Sequence, residues 1–224
     1  MHLIDLFPTT ILQNNIDFDI SDNDIISIID NKNVMSTPNV LGGNTYFTKN
    51  NNILQIKIFE KIRKEIYNNI SKYMENVHGV GKNKEKIYIK IVSSWMNVIN
   101  NKNAGHHLHN HPNSFMSGVF YLRCNDMGED SITFSYTQNN GNLSPNTNNN
   151  LSFDGIVEEY HYRNSSSWRL PVKRGDLLVF PSNLSHYVEP QEQINEDNFR
   201  CSISFNTFVK GALGGGNTTI TAEL

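Results

Sequence analysis

The sequence predicts a mainly β fold, an antiparallel sandwich or barrel, with a helical support near the N-terminus. Three observations carry this. Beyond residue 86, seven short segments are rich in β-branched and aromatic residues, and turn residues separate them. No helical periodicity lies between those segments, which argues against a parallel sheet with crossover helices. Before them, residues 53–77 show apolar spacing of three and four, the mark of an amphipathic helix. At 224 residues the chain is long enough for one domain of ordinary size.

The first 20 residues hold two apolar runs, Leu3–Phe7 and Ile11–Ile20, broken by Pro8 and by Asn14 and Asn15. Residues 21–52 read as polar and irregular, with a turn at Leu41–Asn44. The helix then brings Phe59, Ile62, Ile66, Ile70, Tyr73 and Met74 to one face, with charged residues between them, and Gly79 and Gly81 end it. The expected strands are Lys86–Ile99, Phe115–Leu122, Ser131–Tyr136, Gly155–Tyr162, Asp176–Phe180, Ser185–Glu189 and Arg200–Lys210. The tract 138–150 reads as a polar loop. The expected organisation is one domain over 1–224: N-terminal strands and helix in 1–85, a β core in 86–210, and a C-terminal tail in 211–224.

Composition excludes several function classes. A net charge of −3 gives no basic footprint for nucleic acid. No apolar run reaches the 18 or so residues of a membrane span. The N-terminus, MHLIDLFPTT, lacks the layout of a signal peptide, so a cytoplasmic location is expected. Two cysteines, Cys124 and Cys201, are too few for a disulfide framework or a structural zinc site. No Walker loop, GxGxxG or GxSxG is present. Asparagine is abundant, 34 residues, but it collects in turns and loops and points to no chemistry.

Histidine is placed unevenly. Four of the eight, His106, His107, His109 and His111, fall within six residues. In a strand, residues two apart share a face, so His109 and His111 can serve one metal ion, and His107 shares their parity. A third ligand must come from a distant strand, and His186, in FPSNLSHYVEP, is the candidate. His106 and His161 read as surface or loop residues. Fourteen residues past His186, Arg200 shares a strand face with Ser202, Ser204 and Asn206, while Cys201, Ile203 and Phe205 take the other. A buried guanidinium needs an anionic partner, and its planar fork suits a carboxylate. If no protein carboxylate faces it, a ligand carboxylate is the simplest supply. Trp95, Asn97 and Tyr121 are candidate cavity liners.

Four stretches, SSWMNVI, HNHPNSFMSGVFYL, GDLLVFPSNLSHYVEP and RCSISFN, resemble the 2-oxoglutarate and iron(II)-dependent oxygenases. More narrowly, they resemble a family of such oxygenases common in marine bacteria and their phages. LFPTTI near the start and FVKGALGG and TAEL near the end extend the resemblance over almost the whole chain. It implies a double-stranded β-helix, or jelly roll, and a dioxygenase that uses Fe(II), 2-oxoglutarate and O2. Such an enzyme would hydroxylate an unidentified small molecule or peptide and release succinate and CO2. It also implies iron on His109 and His186, with His111 standing where the wider superfamily has a carboxylate. A pair of His107 and His109 is the alternative. Arg200 and Ser202, with Tyr121, would take the distal carboxylate of 2-oxoglutarate. A homodimer is compatible with this reading.

Two competing functions remain open from the residues alone. One is a cupin-like three-histidine oxygenase that does not use 2-oxoglutarate, which would leave Arg200 and Ser202 without a task. The other is a non-catalytic β-helix binding module, favoured by the missing carboxylate. The segments 40–52 and 138–150 are candidate lids, since loops at a barrel mouth set specificity.

Overall fold

The computed structural model describes residues 8–31, 34–35, 45–80, 87–125, 130–135, 147–148, 151–152, 156–214 and 220–222. The chain begins with β1 (Leu12–Asn15), followed by α1 (Asp22–Ile29) and a short β2 (Tyr46–Phe47). Two 3-10 turns, Ile53–Gln55 and Lys57–Phe59, lead into α2 (Glu60–His78). Then come β3 (Ile87–Ile99), β4 (His106–His109), β5 (Met116–Arg123) and β6 (Ser131–Ser135). A small hairpin, β7 (Thr147–Asn148) and β8 (Leu151–Ser152), precedes β9 (Ser167–Pro171), β10 (Asp176–Pro181) and β11 (Ser185–Val188). The last strands are β12 (Arg200–Leu213) and β13 (Ile220–Ala222).

Two antiparallel sheets form the body. The larger has the order β1-β10-β5-β12-β3-β2, with β13 on β12; the smaller has the order β4-β11-β6-β9. The larger sheet's central strands β5 and β10 are buried on both faces, which explains their near-continuous apolar sequences. On β5, Phe120 and Leu122 face the α2 side while Val119 and Tyr121 face the smaller sheet. On β10, Leu177 and Val179 face α2 while Leu178 and Phe180 face inward. On β12, Cys201, Ile203 and Phe205 join the helix-side core, and Arg200, Ser202 and Ser204 line the interior. The period of two thus assigns each strand one packing face and one working face.

α2 presents Ile62, Ile66, Ile70 and Tyr73 to that sheet, all buried. Each such side chain contributes roughly 1.5–3 kcal/mol by leaving water. Gly79 ends the helix in the left-handed conformation, φ 67°, and its N–H bonds to Met74 O. Among the described residues no helix is long and apolar enough to cross a membrane.

Several expectations need correction. The helix does not run from residue 53. Residues 53–59 form 3-10 turns because Leu54 N–H is drawn to Ser94 Oγ of β3 at 3.1 Å, which buries Ile53 and Leu54 fully against the sheet. The irregular stretch 21–52 contains α1, nucleated by a capping box in which Ser21 and Asp24 bond reciprocally. Residues 156–162 form no strand; the strand of that region is β9, an edge strand on β6. Its side chains are mostly exposed, so no apolar alternation announces it. Within the supposed loop tract, Thr147 and Asn148 pair with Ser152 and Leu151; residues 138–146 and 149–150 lie outside the described residues, as do 36–44 and Gly81. β12 continues to Leu213, and Ile220–Ala222 folds back on it.

Candidate active site

The smaller sheet builds one wall of the site. β11 pairs with β4 so that His186 stands opposite His109. His111 follows β4 rather than belonging to it. Its backbone N–H donates to Ser182 O at 2.9 Å, in the turn between β10 and β11. The turn beyond it passes through Asn113 at φ 60°, a left-handed conformation that asparagine tolerates. It is pinned at Ser114, whose hydroxyl donates to Thr207 O and accepts from Ser182 Oγ. His111 therefore sits on a bound turn, not a loose one.

The ligand atoms of His109, His111 and His186 all lie within 4.8 Å of one another. His186 Nδ1 lies 3.0 Å from Leu184 O, and His109 Nδ1 lies 2.7 Å from His107 O. A carbonyl only accepts, so each Nδ1 carries the proton and each Nε2 presents a lone pair. Burial, reinforced by the neighbouring imidazoles, pulls His111 down to a pKa of about 3. Burial pulls His186 down to about 4, against the Leu184 bond, which acts upward. Both are thus neutral near pH 7, the state a metal requires. His111 Nε2 and His186 Nε2 are 3.3 Å apart. Two nitrogens at right angles on one ion, each about 2.1 Å from it, stand roughly 3 Å apart. The Nδ1 protons of His109 and His186, the neutral state of His111 and His186 and the spacing fit a divalent ion.

The opposite wall comes from β12, β5 and β3. Arg200 is buried; its Nη1 donates to Ser131 O at 2.8 Å and lies 3.5 Å from Asp130 Oδ1. Its Nη2 donates to Tyr121 Oη at 3.3 Å. Burial raises the Tyr121 phenol well above its usual range, so it keeps its proton. A cavity of about 250 Å³ joins the histidines to Arg200, with Ser202, Tyr121, Trp95 and Asn97 in its lining. Trp95 Nε1 donates to Asn97 Oδ1 at 3.1 Å, and Asn97 Nδ2 donates to Ser204 Oγ at 2.8 Å, which fixes that wall. Among the described residues no carboxylate lines the cavity.

Two expectations change here. Arg200 does have a protein carboxylate behind it, since Asp130 is fully buried and held by Asn125 N–H at 2.7 Å. The premise of an unopposed guanidinium therefore does not hold. His106 is not a surface residue: it lines the cavity, and its Nε2 is buried without a hydrogen-bond partner among the described residues. The cause is a β-bulge. His109 opposes His186 and His106 opposes Val188, so the four residues 106–109 of β4 face the three residues 186–188 of β11. The bulge re-aims His106 to the side of His109. Strand parity had joined His109 to His107, which is exposed and offers His109 only its carbonyl. The available signal was Gly105 immediately before, a residue that often marks such a break. His161 is exposed, as expected.

Comparison with known proteins shows the family and the fold. Residues 93–206, half of the chain, match the family model described as "Putative 2OG-Fe(II) oxygenase". The chain belongs to this 2OG-Fe(II) oxygenase family. It is an oxidoreductase whose family uses Fe(II), 2-oxoglutarate and O2. Solved structures share the oxygenase fold at low identity. A prolyl-4-hydroxylase of Pseudomonas putida is 10% identical, with 88% of this chain and 92% of that chain covered and a TM-score of 0.53. A prolyl hydroxylase of Trichoplax adhaerens in complex with a hypoxia inducible factor peptide fragment is 14% identical, with 88% and 83% covered and a TM-score of 0.53. The epimerase SnoN of nogalamycin biosynthesis, in complex with Fe3+, alpha ketoglutarate and nogalamycin RO, is 11% identical, with 84% and 74% covered and a TM-score of 0.53. The mainly β jelly roll is thus the observed fold. A search of curated proteins by sequence gives no match.

Proposed function

We propose that His109, His111 and His186 hold Fe(II), and that Arg200, Tyr121 and Ser202 receive the distal carboxylate of 2-oxoglutarate. The observation that carries this is the sharing of one cavity by the three histidines and Arg200. Bound iron and 2-oxoglutarate supply the oxidising chemistry, in which R–H, 2-oxoglutarate and O2 become R–OH, succinate and CO2.

The chain's own residues set orientation and water exclusion. Leu184 O and His107 O hold the two imidazoles in the tautomer that turns Nε2 inward. Arg200 and Tyr121 supply donors at the far end, and Ser202 adds a hydroxyl on the same strand face. Val119, Ile132 and Phe180 form apolar walls that keep the interior dry. Phe47, Trp95 and His107 border the same cavity. We assign them to the substrate side, where an uncharged C–H of a small molecule or peptide would lie. The reading takes 1–224 as one oxygenase domain, because α1 and α2 pack on the sheet that bears Arg200.

Succinate formation from 2-oxoglutarate in air tests this reading. Iron-loaded protein should form succinate, and Arg200→Ala should raise the half-saturation for 2-oxoglutarate sharply with iron content unchanged. An unaltered half-saturation would reject the role given to Arg200.

A further inference from the structure

We propose that His106 Nε2 is a further hydrogen-bonding group for the distal carboxylate of 2-oxoglutarate, acting beside Arg200 and Tyr121. The proposal rests on the reading of Arg200 given above and deepens it. Three independent features of the site lead to it.

First, the atom is stranded. His106 Nε2 is buried and has no hydrogen-bond partner among the described residues. Buried polar atoms are almost always satisfied, and an isolated exception beside a cavity points to a ligand. Second, the backbone is bent to place it there. The β4 bulge spends a residue of the ladder and turns His106 inward, opposite Val188. A histidine with only a filling role would not need the bulge, since Val188 and Ile132 already supply apolar wall. Third, Arg200 is partly committed. Its Nη1 is taken by Ser131 O and Asp130, and its Nη2 by the Tyr121 hydroxyl. A carboxylate offers about four acceptor sites, more than so committed a guanidinium can fill.

The cavity chemistry agrees. His106 and Arg200 line one space in which, among the described residues, no carboxylate stands. His106 faces the same space as Arg200, and an imidazole ring N–H is a donor suited to a carboxylate. An anion that reaches both groups satisfies the stranded nitrogen and accepts from the guanidinium as well. The 2-oxo acid end of the cosubstrate belongs at the histidine triad, which leaves the distal carboxylate for this end.

Binding is measured by calorimetry on anaerobic Fe(II)-loaded protein, with 2-oxoglutarate and with pyruvate, which has the 2-oxo acid but no distal carboxylate. His106→Leu should bind 2-oxoglutarate about tenfold more weakly or worse. It should keep its iron and its affinity for pyruvate. His106→Gln, which retains an N–H, should recover much of the loss. Equal 2-oxoglutarate affinity for His106→Leu and wild type overturns the proposal, as does an equal loss for both ligands. Should His106→Leu not fold, wild-type protein loaded with zinc decides: the His106 ring nitrogen resonance should move with 2-oxoglutarate and not with pyruvate. No movement overturns it. Arg200→Ala separates the two levels of the argument. If Arg200→Ala loses 2-oxoglutarate selectively and His106→Leu does not, only the role of His106 falls. If wild type binds no 2-oxoglutarate, or Arg200→Ala binds it unchanged, the functional reading falls with it.

Discussion

His111 Nε2 lies 3.3 Å from His186 Nε2, although 75 residues of chain separate them. The β4–β11 pairing and the turn pinned at Ser182 bring them together. Because Leu184 O fixes the proton of His186 on Nδ1, the Nε2 of His111 must donate in the metal-free protein. In the proposed site the two nitrogens would instead both bind the metal ion, with the His111 proton moved from Nε2 to Nδ1.

The histidine assignments separate cleanly by iron content. His111→Ala and His186→Ala should each lose iron(II) binding, measured by metal analysis after gel filtration. His107→Ala should keep it, because His107 serves His109 only through a backbone carbonyl. Full iron in His111→Ala would remove the all-histidine triad.

Asp130 should contribute to folding through Arg200. Both are buried, and breaking such a pair leaves an uncompensated charge at a cost of roughly 3 kcal/mol. Asp130→Asn should therefore lower the Tm. Added 2-oxoglutarate should raise the Tm of Asp130→Asn more than that of wild type, because the ligand replaces the missing charge. Thermal unfolding with and without 2-oxoglutarate checks both. Equal ligand shifts would show that Asp130 and the ligand do not share Arg200.

Gly118 is a packing requirement of the cavity floor. A Cβ there would stand 2.6 Å from Leu178 O and collide with the Phe205 ring. Gly118→Ala should lose about 1–3 kcal/mol in urea unfolding. A wild-type midpoint would mean that β5 and β12 can separate at low cost.

The helix face should matter for stability and not for cosubstrate binding. Ile66 is fully buried between α2 and the larger sheet, on the side away from Arg200. Ile66→Ala should cost roughly 2–5 kcal/mol. Its half-saturation for 2-oxoglutarate should match wild type. A large rise would mean that the helix layer positions β12 more directly than packing implies.

The legible parts of the fold were those whose side chains alternate or recur. β5, β10 and β12 carry apolar residues of opposite parity to two cores, and α2 repeats Ile62, Ile66 and Ile70. The parts that escaped lack such a signature. α1 is a two-turn helix whose strongest signal is the Ser21–Asp24 cap, and β9 is an edge strand with a mostly exposed face. At the site, the distant motif pointed to His186, but strand parity is not what joins His109 to His111: His111 comes in from the turn after β4, held by Ser182 O. His106 could not be placed, because a bulge breaks parity where parity was the argument. Asp130 was hidden for another reason: its approach to Arg200 depends on how the chain returns after β5, which no local pattern encodes.

The central claim is that one cavity holds iron(II) on three histidines and 2-oxoglutarate against Arg200. The most direct measurement is the visible absorption of anaerobic iron(II)-loaded protein titrated with 2-oxoglutarate. A weak charge-transfer band should grow to saturation in wild type, and the Arg200→Ala band should need far more 2-oxoglutarate. Iron-replete wild-type protein that shows no band at saturating 2-oxoglutarate would contradict the account.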